Sequence, residues 1–480
     1  MVNFSDLNFI FRFLPVFLII YYIVPPKLKN PVLFLGSLVF YALGEPVYVF
    51  LMLISILVNY VAARLMKGVE GVLEKRLLLI FALVFDLGAL LFFKYGAFFT
   101  GAINDLTGND FFFPELALPL GISFYTFQIL SYVIDVYRGE VECEENFIDL
   151  GVYIAMFPQL IAGPIVIYKD VIKNIKAPES RISFRALDDG LRIFTIGLAS
   201  KVLIANRMGQ LWDTLAEMGY ANASFKTAWI GVAAYTLQIY FDFNGYSLMA
   251  IGLGSMLGFK LPKNFDTPYA AVSVTDFWKR WHMTLTGFFR NYLYIPMGGN
   301  RKGKLRMYLN LFIVWLLTGF WHGADWNFII WGLYYFVFIS IERLLFNKND
   351  GLLLGVKNRE WPKAVKIIVR VLGHFYAVFV AAVGWAIFAV TDLSDLSAFM
   401  KRLFAPILGQ PLEGIEMSSF SWVMYAWLLV GALFSSTFFS KQYEKIRYKI
   451  PATIILFVLF WLSVVQLTDS VYNPFLYFRF

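Results

Sequence analysis

Charged residues make up only 15% of this 480-residue chain, where soluble domains carry roughly 25%. So few charges cannot cover a water-facing surface, which excludes an ordinary soluble fold and makes a bilayer the natural solvent. Cysteine is nearly absent: Cys143 stands alone. An intrachain disulfide and a cysteine-based metal site are therefore excluded, and no metal site is expected. Histidine is almost as rare, at His282, His322 and His374. Internal repeats, low-complexity tracts and domain-separating linkers are also missing, so residues 1–480 read as one membrane domain. The net charge of +8 is modest, and no nucleic-acid partner is expected.

What remains is apolar: 59% hydrophobic and 19% aromatic residues. A span needs about 20 mostly apolar residues, and closed hydrogen bonding makes it a helix. Candidate segments lie near 7–24, 31–44, 47–65, 77–99, 116–137, 148–167, 188–208, 227–258, 307–322, 325–345, 366–390, 419–438 and 451–468. Several are short or broken, so about ten to twelve crossings are expected of an all-α integral membrane protein. The opening "FIFRFLPVFLIIYYIV" is too long and aromatic for a signal-peptide core and reads as an uncleaved first span. Three features interrupt the pattern. Pro158 and Gly163-Pro164 break "MFPQLIAGPIVIY"; Asp242, Asn244 and Gly245 break "YFDFNGYSLMAIG"; Asp86 and Asp135 fall inside spans. Each is either a polar contact between helices or the lining of a functional cavity.

The stretch "DFWKRWHMTLTGFFRNYLYIPMGGNRKGKLRM" (276–307) is aromatic and basic. Phe277, Trp281, Leu285 and Phe288 recur at helical spacing, with Trp278, His282 and Phe289 widening the stripe. The spacing predicts an amphipathic helix at the interface, with Thr275 as N-cap and Asp276 in the first turn. Between Phe277 and Met307 stand seven cations and no acid: Lys279, Arg280, Arg290, Arg301, Lys302, Lys304 and Arg306. This is either a loop kept cytoplasmic by its charge or, in addition, a site for an anionic ligand.

"LTGFWHGADWNF" (317–328) follows. With Arg306 at the surface, His322 lies sixteen positions further on, about 24 Å along a helix in a layer of about 30 Å. Such a histidine is either a helix–helix hydrogen bond or a catalytic group facing a cavity. Trp321 and Asp325 are close enough in sequence to orient it.

Taken together, "DFWKRWHMTLTGFFRNYLYIPMGGNR" and "TGFWHGADWNFIIWG" resemble the membrane-bound O-acyltransferase family, in its bacterial alginate and peptidoglycan O-acetylation branch. "FPQLIAGPI", "YFDFNGYS", "IGLGSMLGF" and "NPFLYFRF" are similar to that branch too. The resemblance implies a polytopic helical fold with broken or re-entrant helices, a central tunnel and a core at 276–346. It implies that His322 is the active-site histidine and His282 its less uniformly essential companion. Trp321 and Asp325 would support them, and Lys279, Arg280 and Arg290 would bind the donor. It implies no bound cofactor, a cytoplasmic thioester donor such as acetyl-coenzyme A, and a polysaccharide acceptor across a bacterial plasma (inner) membrane. It also implies an extracytoplasmic partner transferase with a serine nucleophile. D-alanyl transfer to teichoic acid is the alternative within the family. A transporter or flippase built from broken helices is the alternative outside it, although no paired broken segments mark the two halves. His374 matches no motif and reads as structural.

Overall fold

Where water is scarce, each backbone N–H and C=O must be satisfied within its own segment, and a helix does this. The computed structural model describes residues 3–114, 116–161, 163–346, 361–416, 422–469, 473, 475 and 476. Every regular element among them is a helix, apart from one isolated bridge between Ala223 and Ile415. Five helices are long and apolar enough to cross a membrane: Tyr48–Gly68, Val72–Thr107, Trp326–Leu345, Lys363–Ala389 and Ile450–Asp469. Trp422–Phe434 and Thr437–Ile446, bent by 68°, form a broken pair that raises the number to six. The chain is thus a multi-pass membrane protein. Other expected segments are helical but shorter or more polar. Ile122–Arg138, for example, has 17 residues and is buried along nearly its whole length. A helix surrounded by protein rather than lipid has no need of a uniformly apolar sequence.

Two compact units divide the chain: residues 1–197 with 246–263, and residues 198–245 with 264–480. In the first, the buried Asp86 carboxylate accepts hydrogen bonds from Ser55 Oγ and from Asn59 Nδ2 (2.7 Å). Asp86 is therefore a polar contact between the helices Tyr48–Gly68 and Val72–Thr107. Asp135 lies 3.7 Å from Lys169 Nζ. The proline-containing segment breaks as its sequence suggests, into Phe147–Ala155 and Phe157–Leu160. Side chains satisfy the backbone groups that the break releases. Phe157 N–H donates to Ser37 Oγ (3.1 Å), and the Tyr153 carbonyl accepts from the Gln159 amide.

In the second unit, Lys304–His322 and Trp326–Phe346 form an antiparallel hairpin joined by three residues, 323–325. Small residues let the two backbones touch. A Cβ on Gly319 would lie 2.3 Å from the Phe328 carbonyl oxygen, and one on Gly332 would lie 2.4 Å from that of Trp315. Beside the hairpin, Trp278 packs edge-on to Trp315 (4.8 Å) and Tyr335 (4.8 Å). Such pairs contribute about 0.5–1.5 kcal/mol each beyond their buried area.

The single amphipathic helix expected over the basic aromatic stretch is two short helices, Val274–Trp278 and Met283–Phe289. Their aromatic stripe is interior: Phe277, Trp278, Trp281, Leu285, Phe288 and Phe289 are all buried. Ser273, not Thr275, is the N-cap, its hydroxyl accepting from Asp276 N–H (3.0 Å). The cause lies far away in sequence. The buried Glu342 carboxylate accepts from Val274 N–H (2.6 Å), Thr275 N–H (2.9 Å) and Thr275 Oγ1 (2.6 Å), which starts the helix two residues earlier.

Candidate active site

His322 ends its helix, and Gly323 follows in extended conformation. The helix is unbroken from Lys304, so the sixteen steps from Arg306 do correspond to about 24 Å. The imidazole is buried and set edge-to-face against three rings: Trp321 at 4.9 Å, Trp331 at 5.0 Å and Phe388 at 5.2 Å. These come from its own helix, from the hairpin partner and from Lys363–Ala389, so three elements fix its orientation.

His282 sits between the two short helices with φ 44° and ψ 53°, a left-handed conformation unusual for a side chain with a Cβ. Asn264 holds it there. Met283 N–H donates to the Asn264 carbonyl (2.9 Å), and His282 Nδ1 lies 3.0 Å from Asn264 Oδ1. Thr284 Oγ1 donates to the same oxygen (2.9 Å). Oδ1 can only accept, so the proton is on Nδ1 and Nε2 carries the lone pair. Burial pushes the imidazole pKa down, to about 3. His282 is therefore neutral throughout the physiological range.

Trp321 lies close to both imidazoles, its ring 6.1 Å from His282 and 4.9 Å from His322. Phe243 packs edge-on to His282 at 4.7 Å. Phe243 and His322 both line a cavity of about 10 Å³, room for roughly one water-sized group. Trp281, Trp385, Phe388, Ile239 and Leu476 form most of the remaining wall, and Asp242 supplies its carboxylate. A basic nitrogen in a nearly dry aromatic chamber is suited to moving a proton where water competes poorly.

Residues 144–348 match the membrane-bound O-acyltransferase family. A protein of Azotobacter vinelandii described as "Probable alginate O-acetylase AlgI" is 33% identical over 505 aligned positions, covering 99% of this chain and 100% of the relative. The chain belongs to the membrane-bound O-acyltransferase family. Its peptidoglycan O-acetyltransferase relative from Helicobacter pylori is 40% identical over 368 positions, 70% of this chain and 69% of its own. The teichoic acid D-alanyltransferase of Bacillus subtilis is 26% identical over 258, covering 52% and 65%. This chain is thus a membrane O-acyltransferase of the alginate and peptidoglycan O-acetylation branch.

The other residues singled out in this acyltransferase are less centrally placed. Lys279 and Arg290 are exposed. Arg280 is paired with Asp276 (2.9 Å) and lies 4.0 Å from Asp266, so part of its charge is already neutralised. Asp325 is exposed, and among the described residues its carboxylate makes no hydrogen bond to His322. Trp321, not Asp325, is the neighbour that touches the imidazole. His374 Nδ1 is 3.1 Å from the Ala271 carbonyl oxygen, a structural bond. Of "NPFLYFRF", only Asn473, Phe475 and Leu476 are described, and Leu476 reaches the cavity. Sequence reasoning missed two residues. Asn264 carries no local signal of its link to His282, 18 positions away. Asp242 stood out as a charge in an apolar run, but nothing in the sequence tied it to His322.

Proposed function

We propose that the chain moves an acetyl group from acetyl-coenzyme A on the cytoplasmic side of a bacterial plasma membrane toward a secreted or cell-surface polysaccharide. The observation that carries this reading is the buried His322 at the wall of an aromatic cavity, with neutral His282 across a shared tryptophan. In the transfer step, the oxygen of an acceptor hydroxyl attacks the thioester carbonyl as His322 takes its proton. The carbon–sulfur bond breaks, and the proton passes from the imidazolium to the departing thiolate. The products are an O-acetyl ester and free coenzyme A. General-base help of this kind is worth about 10²–10⁴-fold. Neutral His282, its proton turned to Asn264, would present the Nε2 lone pair to orient a donor or hydroxyl. Trp321 would hold the two rings in register, and Asp325 would act only at the margin. Lys279 and Arg290, with Arg280 in a lesser role, would draw the polyanionic end of the donor.

A bulky hydrated polymer cannot approach the buried His322 imidazole as a slender thioester arm or a single serine side chain can. An extracytoplasmic partner with a serine nucleophile would therefore receive the acyl group and pass it on. Acetyl is favoured over D-alanyl because the match to the acetylating relative reaches 99% of this chain, against 52% for the D-alanyl one.

The test is reconstitution in vesicles with labelled acetyl-coenzyme A on the face exposing residues 301–306. The face is assigned by exchanging Cys143 for Ser and labelling a Gly303→Cys variant with an impermeant maleimide. Slow thiol release by the chain alone, and labelled polymer only once the serine transferase is added, is the expected result. No thiol release under any condition would sink acetyl-coenzyme A as donor. Efficient polymer labelling by this chain alone would remove the relay.

A further inference from the structure

The cavity wall holds two ionisable side chains, His322 and Asp242. Asp242 lies within the long helix Phe225–Met256 and is 2% exposed. Its Oδ1 is 2.9 Å from the Nζ of Lys201, a lysine as deeply buried as the aspartate. Its Oδ2 accepts from Leu476 N–H (2.8 Å), another residue of the cavity wall. Lys201 lies in a π-helical turn, Ser200–Ala205, and also donates to Asn206 Oδ1 (2.7 Å).

A buried ion pair is a poor device for stability alone. Desolvating two charges offsets most of their attraction, and well-packed apolar side chains of similar volume commonly do as well or better. Charges within a membrane protein's apolar interior more often mark function, and π-turns recur at functional sites. This pair has one oxygen-bearing end at the chamber of the histidine. The chamber admits about one water-sized group, so Asp242 and His322 border the same small space. In such a dry space the carboxylate end of the pair acts on a forming positive charge more strongly than it does in water, with Lys201 offsetting part of the effect.

We propose that Asp242, anchored by Lys201, is a positioning residue for acyl transfer that stabilises the imidazolium formed on His322 as it takes the acceptor's proton. This rests on the reading of His322 as the base. Asp242 neither gains nor loses a proton; the proton travels from hydroxyl to His322 to thiolate. Lys201 sets the carboxylate's direction, and the Leu476 amide fixes its second oxygen.

The experiment compares full-length wild type, Lys201→Met/Asp242→Asn and Asp242→Glu in vesicles, following thiol release against acetyl-coenzyme A concentration. The double variant removes both charges together, so no lone buried ion is left, and asparagine keeps an acceptor for Leu476 N–H. Wild-type membrane accumulation, kcat reduced at least tenfold and KM for the donor within twofold are the expected results. Asp242→Glu keeps the pair but displaces the carboxylate, and serves if the double variant does not accumulate; its kcat should fall at least fivefold. A wild-type kcat in either folded variant overturns the proposal and leaves the pair as a structural staple. His322→Ala is assayed beside them. If it is inactive while the double variant runs normally, Asp242 alone is dismissed. If His322→Ala also runs normally, the reading of His322 as base has failed, and the proposal with it.

Discussion

Gly332→Ala tests whether the hairpin's close packing sets the geometry of His322. The added methyl would sit 2.4 Å from the Trp315 carbonyl oxygen, where ordinary contact begins at 3.4 Å, and Gly319 Cα is 3.3 Å away. The obstacle is backbone, so no side chain can swing aside. The helices Lys304–His322 and Trp326–Phe346 must part by about 1 Å, and overpacking of this kind costs about 1–3 kcal/mol. The preceding residue, Trp331, packs on His322 at 5.0 Å, so the same displacement reaches the imidazole. A misplacement of about 1 Å at a reacting group can cost roughly 10²-fold in rate. The assay measures membrane accumulation, thermal midpoint in detergent and thiol release from acetyl-coenzyme A, normalised to folded protein. Gly88→Ala is the control, because a Cβ there meets nothing within 4 Å; it should leave accumulation and rate unchanged and hold or slightly raise the midpoint, since alanine is the better helix former. A Gly332→Ala protein with wild-type stability and rate would refute the claim that the glycine contact positions the site.

The depressed pKa of His282, about 3, against about 6.5 in an unfolded chain, has a definite sign. The unfolded state binds the extra proton first, so the stabilisation is complete above about pH 6.5 and is lost as pH falls toward 3. Unfolding midpoints across that window should fall more steeply for wild type than for His282→Gln; parallel curves would mean the ring is not held neutral by burial. Glu342→Ala removes an acceptor of three hydrogen bonds. It should destabilise by about 2–4 kcal/mol, since bonds to a charged group contribute about 1.5–3 kcal/mol each and partial rehydration recovers some of that. A thermal midpoint within 1 °C of wild type, about 1 kcal/mol for a chain of 480 residues, would show that the 274–278 helix has another cap.

The helical, membrane-borne character was legible because it rests on local features, apolar run length and recognisable motifs; the rarity of histidine singled out His282 and His322, which the structure brings to one tryptophan. The rise from Arg306 to His322 could be counted as well, since a single helix carries it. The break at His282 was not legible. Its neighbours keep helical spacing through Trp281 and Leu285, and two buried short helices preserve that periodicity as well as one long helix does. What breaks the helix is Asn264 holding the histidine in a left-handed conformation. Ser273 replaced Thr275 as cap for a similar reason, because Glu342 decides where the amides point. Asp325 illustrates the converse, as closeness in sequence brought no hydrogen bond from its carboxylate to the imidazole. Asp242 comes to the wall of the His322 cavity through the fold, on a helix that sequence order keeps far from His322.

The account turns on His322, and the most direct measurement of it is acyl transfer by His322→Ala. The imidazole rests on rings that remain after truncation, so the variant should insert and accumulate like wild type. Purified wild type and variant would be reconstituted at equal folded amounts with acetyl-coenzyme A, the serine transferase and polymer. Both donor thiol release and polymer acetylation would be followed. The account predicts a loss of at least 10²-fold in both signals, the low end of what a general base supplies. Wild-type rates of thiol release and acetylation in the variant would contradict it and remove His322 from the mechanism.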